Sequence, residues 1–250
     1  MEELYNSIFR RKSIRKYDMS LLPSDVLSEI KQYASNVKPL VPTIKTDFSY
    51  LTAENIKNPL PVKAPHYICI YSEKAERYLM NAGFMLQQVD LYLSAKSIGS
   101  CWLGMAKPAS GALLKMNGMD FVIMLAFGNA AEPLHRASIS EFKRKAQNEI
   151  STLSEASDIL NAVRLAPSAT NSQPWFFTGN AERIQVHRVK LGTVKAIIYD
   201  KLNQIDIGIA LCHLYIAARE KGKNVEFLYD KNDEGKAPKG YEYMMTAVLY

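Results

Sequence analysis

A twelve-residue pattern recurs, with substitutions, in this chain. Ser24-Asp-Val-Leu-Ser-Glu-Ile-Lys-Gln-Tyr-Ala-Ser35 is echoed by Ser157-Asp-Ile-Leu-Asn-Ala-Val-Arg-Leu-Ala-Pro-Ser168. Each copy reads as a helix capped by Ser24 or Ser157, with Asp25 or Asp158 placed against the positive helix end and apolar residues following at helical intervals. Two further echoes keep the same order. Residues 78–99, with Gly83, Phe84, Leu86, Leu91 and Tyr92, match residues 203–222, with Gly208, Ile209, Leu211, Ile216 and Ala217. Both predict long helices closed by glycine, and their apolar residues lie on nearly every face, which places them in the interior. Strand-like runs at 121–127 and 243–249 form the third pair.

Further strands are expected at 67–71, 184–189 and 225–229. The expected architecture is α+β, built from two tandem homologous halves, with a mixed sheet and long buried central helices. Residues 1–150 form the first half and 151–250 the second, with 142–155 as a charged connector. Residues 36–65 and 230–240, polar or rich in proline, read as surface loops. Two such halves can bury their helices against each other as the subunits of a symmetric dimer do, so one chain would suffice as a pseudo-dimer.

Composition narrows the function classes. Apolar residues make up 48% of 250, enough for a substantial core. The longest apolar run is 121–127, far short of the roughly 20 residues that cross a bilayer, and the N-terminal residues lack an apolar signal core, so a soluble, cytoplasmic protein is expected. Cys69, Cys101 and Cys212 are too widely spaced for a disulfide framework or a zinc site. His66, His135, His187 and His213 lack metal-ligand spacing, and no metal is expected. The net charge of +6 is spread thinly except at residues 10–16 and 143–145, which favours a small anionic ligand over a nucleic acid or a membrane.

Two segments carry chemistry. Arg10-Arg11-Lys12-Ser13-Ile14-Arg15-Lys16-Tyr17 gathers guanidinium, ammonium and hydroxyl donors suited to a phosphate dianion, although alone it would equally serve as a solvated helix end. Leu165-Ala-Pro-Ser-Ala-Thr-Asn-Ser-Gln-Pro-Trp175 ends a helix at proline and exposes backbone through small residues. There Pro167, Ser168 and Ala169 offer a narrow edge to a flat heterocycle, and Asn171 offers both a donor and an acceptor. Read without the rest of the chain, the same stretch is an ordinary loop beside a buried tryptophan.

Together with Ile98-Gly-Ser-Cys-Trp-Leu-Gly104 and the weaker Arg144-Lys-Ala-Gln-Asn-Glu-Ile150, these segments resemble the FMN-dependent nitroreductase family, in particular its subgroup with tandem, degenerate halves. The resemblance implies that Arg11, Lys12, Ser13 and Arg144 hold the FMN phosphate. Arg15 would support the pyrimidine side of the ring electrostatically. Trp102, Leu103, Gly104 and Met105 would face the ring, and Pro167, Ser168, Ala169 and Asn171 would close the site from the second half. The family usually carries the basic turn and the Ala-Pro-Ser turn in each of two identical subunits. Here the first half keeps only the former and the second only the latter, so one complete site is expected and its reciprocal is dead.

The implied activity is a ping-pong transfer of reducing equivalents from NADH or NADPH to a nitroaromatic, a quinone or a similar electron-poor small molecule, with no protein nucleophile. A non-catalytic flavin-binding or flavin-storage protein is the alternative from another class, and a different flavin dehydrogenation is the alternative within the enzymes. Cys101 beside the ring-facing segment reads as a small core residue before it reads as a redox group.

Overall fold

The computed structural model describes the backbone of residues 1–250 and the side chains of all but Ala112, Lys195 and Ile198. In chain order the first half contains α1 (Glu2–Ile8), α2 (Ser24–Ser35), β1 (Thr46–Thr52), β2 (Ile56–Lys57), β3 (His66–Ser72), α3 (Tyr78–Ala95), β4 (Gly99–Leu103), β5 (Lys107–Pro108), β6 (Lys115–Met116) and β7 (Met119–Gly128). It ends with α4 (Gln147–Ile150); the second contains α5 (Ser157–Val163), β8 (Trp175–Gly179), β9 (Arg183–Val189), α6 (Thr193–Glu220), β10 (Val225–Leu228), α7 (Lys231–Glu234) and β11 (Tyr241–Leu249).

One sheet has the order β1-β3-β7-β4, with β6 added to β7, and the other has β8-β9-β11-β10. Leaving out the two-residue strands β2, β5 and β6, both run first, second, fourth, third, with the long helix between the second and third strands. β2 and β5 form a separate two-stranded ribbon. All the strand pairings are antiparallel, which corrects the expectation of a mixed sheet. The physical reason lies in the crossover. A helix joining two strands usually leaves them as parallel neighbours, but here β7 lies between β3 and β4, and β11 between β9 and β10, antiparallel to both flanking strands.

The centre is α3 packed on α6. α3 is buried on almost every side, as expected for a helix without a polar face. The helices approach at glycines: a Cβ on Gly83 would collide with the carbonyl oxygen of Ile205, and one on Gly208 with that of Met80. Each glycine therefore meets the backbone three residues before the other.

Several local expectations change. Pro23, not Ser24, is the N-cap of α2, and Ala156, not Ser157, that of α5; neither makes a side-chain cap bond. As expected of a helix ended by proline, α5 stops at Val163 and runs into a turn at 165–166 before Pro167. α6 begins ten residues earlier than expected. β1 falls within the supposed loop at 36–65. All its residues are partly buried, as on a sheet edge, and the proline-rich chain around it masks the short alternation at 47–50.

Candidate functional site

The basic turn is fixed by backbone pairing. Ile14 N–H donates to the Ser100 carbonyl at 2.9 Å, which lays residues 13–14 along β4. From the other side, the chain leaving β7 binds the same segment: Ala131 N–H donates to Lys16 O and Arg136 N–H to Arg10 O. Glu132 Oε1 accepts the N–H groups of Arg15 at 2.7 Å and Lys16 at 3.3 Å. The Arg15 bond holds the Glu132 carboxyl below the usual range.

Arg11 is 2% exposed, and its Nε lies 3.0 Å from Asp90 Oδ2 in α3. Ser100 Oγ donates to the other Asp90 oxygen at 2.5 Å. Arg11 thus enters the site already braced from behind, with one Nη within 3.4 Å of Ser13 Oγ.

The second-half corner is strained. Thr170, Asn171 and Gln173 have φ of 52°, 58° and 48°, a region that a β-branched residue such as threonine rarely adopts. Local bonds hold it there. Ala169 N–H donates to both carboxylate oxygens of Asp206 at 3.1 Å, and Gln173 N–H donates to Ser168 Oγ at 2.9 Å. Asn171 Nδ2 donates to Lys143 O at 2.7 Å, while Arg144 Nη1 donates to Asn171 Oδ1 at 2.6 Å.

The turn and the corner line one cleft of about 490 Å³, together with the connector between the sheets. Its wall contains Arg11, Lys12, Ser13, Arg15, Arg144, Pro167, Ser168 and Asn171 from the sequence reading, and adds Glu132, Arg136, Glu141, Lys143 and Thr170. Six cations thus face two carboxylates. Among the described residues, Arg11 alone of the six has a carboxylate within ion-pair distance. The Arg136 guanidinium lies 4.0 Å from the Phe142 ring centroid and that of Arg144 5.7 Å, so one buried aromatic ring underlies both. Burial, and then the charge of Arg11, bring both arginines down to about 10. Crowded, partly desolvated guanidiniums that depress one another form a site that an anion relieves.

Four expected residues lie elsewhere. Trp102 donates to Gln87 Oε1 at 3.1 Å, Leu103 is buried in the sheet opposite Met124, and Gly104 and Met105 are exposed, Gly104 against Leu202 of α6. They sit past the point where the N-terminal segment crosses β4, so none of them lines the cleft. Ala169 is also absent from the lining, its N–H turned to Asp206. Asn171 and Arg144 do line it, yet they are largely engaged with one another and with the carbonyls of Lys143, Leu165 and Ala166, so the free donor and acceptor expected of Asn171 are already used. Cys101 is buried, and burial pushes its thiol up against the opposing influence of Arg15 and Arg11.

Arg136 escaped the sequence reading because it stands alone in 129–141. Its one local signal is Phe142, an aromatic residue placed between cations. Among the described residues no helix is long and apolar enough to cross a membrane, and no group of acidic, histidine or cysteine side chains is arranged to hold a metal ion.

Residues 3–218 match a family model described as "Putative TM nitroreductase". A crystal structure of a putative nitroreductase from Thermotoga maritima is similar over 98% of this chain and 92% of its own, with 21% identity and a TM-score of 0.67. An FMN-dependent nitroreductase from Clostridium difficile R20291 aligns over 57% of this chain and 98% of its own, at 15% identity and a TM-score of 0.42. A search of curated proteins found no match. With the nitroreductase-like fold in place and the family match spanning most of the sequence, the chain belongs to the "Putative TM nitroreductase" family, a family of oxidoreductases.

Proposed function

We propose that this chain binds one FMN in the cleft and uses it to pass reducing equivalents from NADH or NADPH to a small electron-poor acceptor such as a nitroaromatic or a quinone. The observation that carries the reading is the convergence of the Arg11–Arg15 turn and the Pro167–Asn171 corner, 152 residues apart at their nearest members, on one cationic cleft. Its volume lies within the roughly 300–1,000 Å³ range of small-molecule and cofactor pockets. Guanidiniums without carboxylate partners suit a phosphate dianion.

In this reading Arg11, Lys12, Ser13 and Arg136 hold the phosphate. Arg144 ties the two walls together and adds its charge. Arg15 keeps positive charge where reduction of a bound ring would place electron density, and Pro167 and Ser168 supply the narrow wall. FMN, when bound, supplies the hydride-accepting ring, so the protein needs no nucleophile of its own. The matched strand order and the reciprocal glycines support reading the two halves as the two subunits of a dimer joined in one chain.

The absorbance spectrum of freshly purified protein tests this. Flavin bands at close to one flavin per chain are expected, together with oxidation of NADH or NADPH that depends on menadione or nitrofurazone. A colourless protein that takes up no added FMN defeats the reading; a yellow protein that never turns over indicates binding without catalysis.

A further inference from the structure

Asp206 is fully buried in α6, and the one hydrogen bond it makes among the described residues comes from the N–H of Ala169, shared between its two oxygens. Burial pushes its carboxyl well above the usual range, and the Ala169 bond opposes this. Burying a carboxyl is costly unless a hydrogen bond compensates it, and here the Ala169 amide supplies that bond. The partner opens the corner in which Thr170, Asn171 and Gln173 are left-handed.

The other half has a counterpart. Asn81 stands two residues before Gly83 in α3, as Asp206 stands two residues before Gly208 in α6. Asn81 Oδ1 accepts the N–H groups of Leu40 at 2.8 Å and Val41 at 3.0 Å, in the loop that follows α2, just as Asp206 binds the loop that follows α5. Each central helix therefore anchors the loop of its own half from the same position. The loop bound by Asn81 lines no part of the cleft, whereas the corner bound by Asp206 forms one wall.

We propose that Asp206 is the positioning residue of the cleft: its carboxyl oxygens pin the Ala169 amide and so keep the 168–173 corner in its strained, cleft-facing shape. The placement of the corner follows from the acceptor, not from a charge in the cleft, since the same position in α3 serves as an amide. The consequence for FMN rests on the function proposed above; the consequence for the corner does not.

Hydrogen–deuterium exchange and FMN titration of the full-length protein test it together. Asp206→Ala is expected to speed exchange at 168–173 at least tenfold, leave 40–41 unchanged, and weaken FMN binding at least tenfold. Asp206→Asn, which keeps an acceptor, should restore most of both. Asn81→Ala should speed exchange at 40–41, lower Tm comparably, and leave FMN affinity within twofold. Unchanged exchange at 168–173 in Asp206→Ala overturns the proposal, as does a loosened corner with undiminished FMN affinity. If the wild-type protein takes up no FMN, the cofactor reading fails by itself, and the exchange arm still decides whether Asp206 positions the corner.

Discussion

Arg11 and Asp90 form an ion pair at 3.0 Å with both side chains at most 2% exposed, one on the cleft wall and the other on the central helix α3. Removing one member of a buried pair strands the other charge at a cost of about 3–5 kcal/mol. Asp90→Asn is therefore expected to lower the unfolding free energy by about that amount in urea titrations. Added inorganic phosphate should recover part of the loss, because the guanidinium left behind opens onto an anion site. Equal loss with and without phosphate would show that Arg11 does not reach the cleft.

Gly83 and Gly208 predict a matched pair of effects. Alanine favours helix by about 1 kcal/mol over glycine, yet at either position the added carbon meets a backbone oxygen that no rotamer change can move. Gly83→Ala and Gly208→Ala should each destabilise by about 3 kcal/mol or more, as overpacking does when backbone must shift. Gly235→Ala, where nothing lies within 4 Å, should change Tm little.

Glu132 makes the basic turn sensitive to acid. Its folded carboxyl lies below the unfolded value of about 4.3, so its contribution is complete above that value and is lost as the pH falls through the lower folded one. Comparing the stability of wild type and Glu132→Ala across pH should give a constant gap at neutral pH that closes in the acid range. A gap that widens on acidification would reverse the sign and refute the assignment.

Arg136 is expected to matter for anion binding more than for folding. Arg136→Gln removes a charged donor lying on the Phe142 ring, and hydrogen bonds to charged groups contribute about 1.5–3 kcal/mol. FMN or inorganic phosphate should therefore bind about tenfold more weakly or worse by isothermal titration. The apoprotein Tm without phosphate should change little, since loss of the Arg136 bond to the Arg11 carbonyl is offset by the removal of one of several mutually repelling cations.

Thr170 offers the opposite kind of change. With φ at 52° it sits where L-residues incur about 1–2 kcal/mol, and asparagine tolerates that region well. Thr170→Asn should raise stability by about 0.5–1 kcal/mol, read as a small increase in Tm. A decrease would mean that the threonine side chain holds the corner by its contacts.

Much of the fold could be read from residue order alone, because helix periodicity, strand patterning and proline breaks are local properties. The long interior helices and the segments bearing the basic turn and the Ala-Pro-Ser corner follow from patterns no longer than about twenty residues. β1 is the exception, because its alternation spans only 47–50 and the proline-rich chain around it masks it.

What the sequence by itself determined, then, is which elements form and which donor types lie together along the chain. The tertiary structure alone decided which partner each donor meets. Arg144 and Asn171 are 27 residues apart and engage each other, Arg11 is braced by Asp90 across 79 positions, Arg136 is brought in over Phe142, and residues 102–105 are left outside the cleft. Hydrogen-bond and charge partners are set by distances in space, and the packing of distant segments that sets those distances is not encoded in any local pattern.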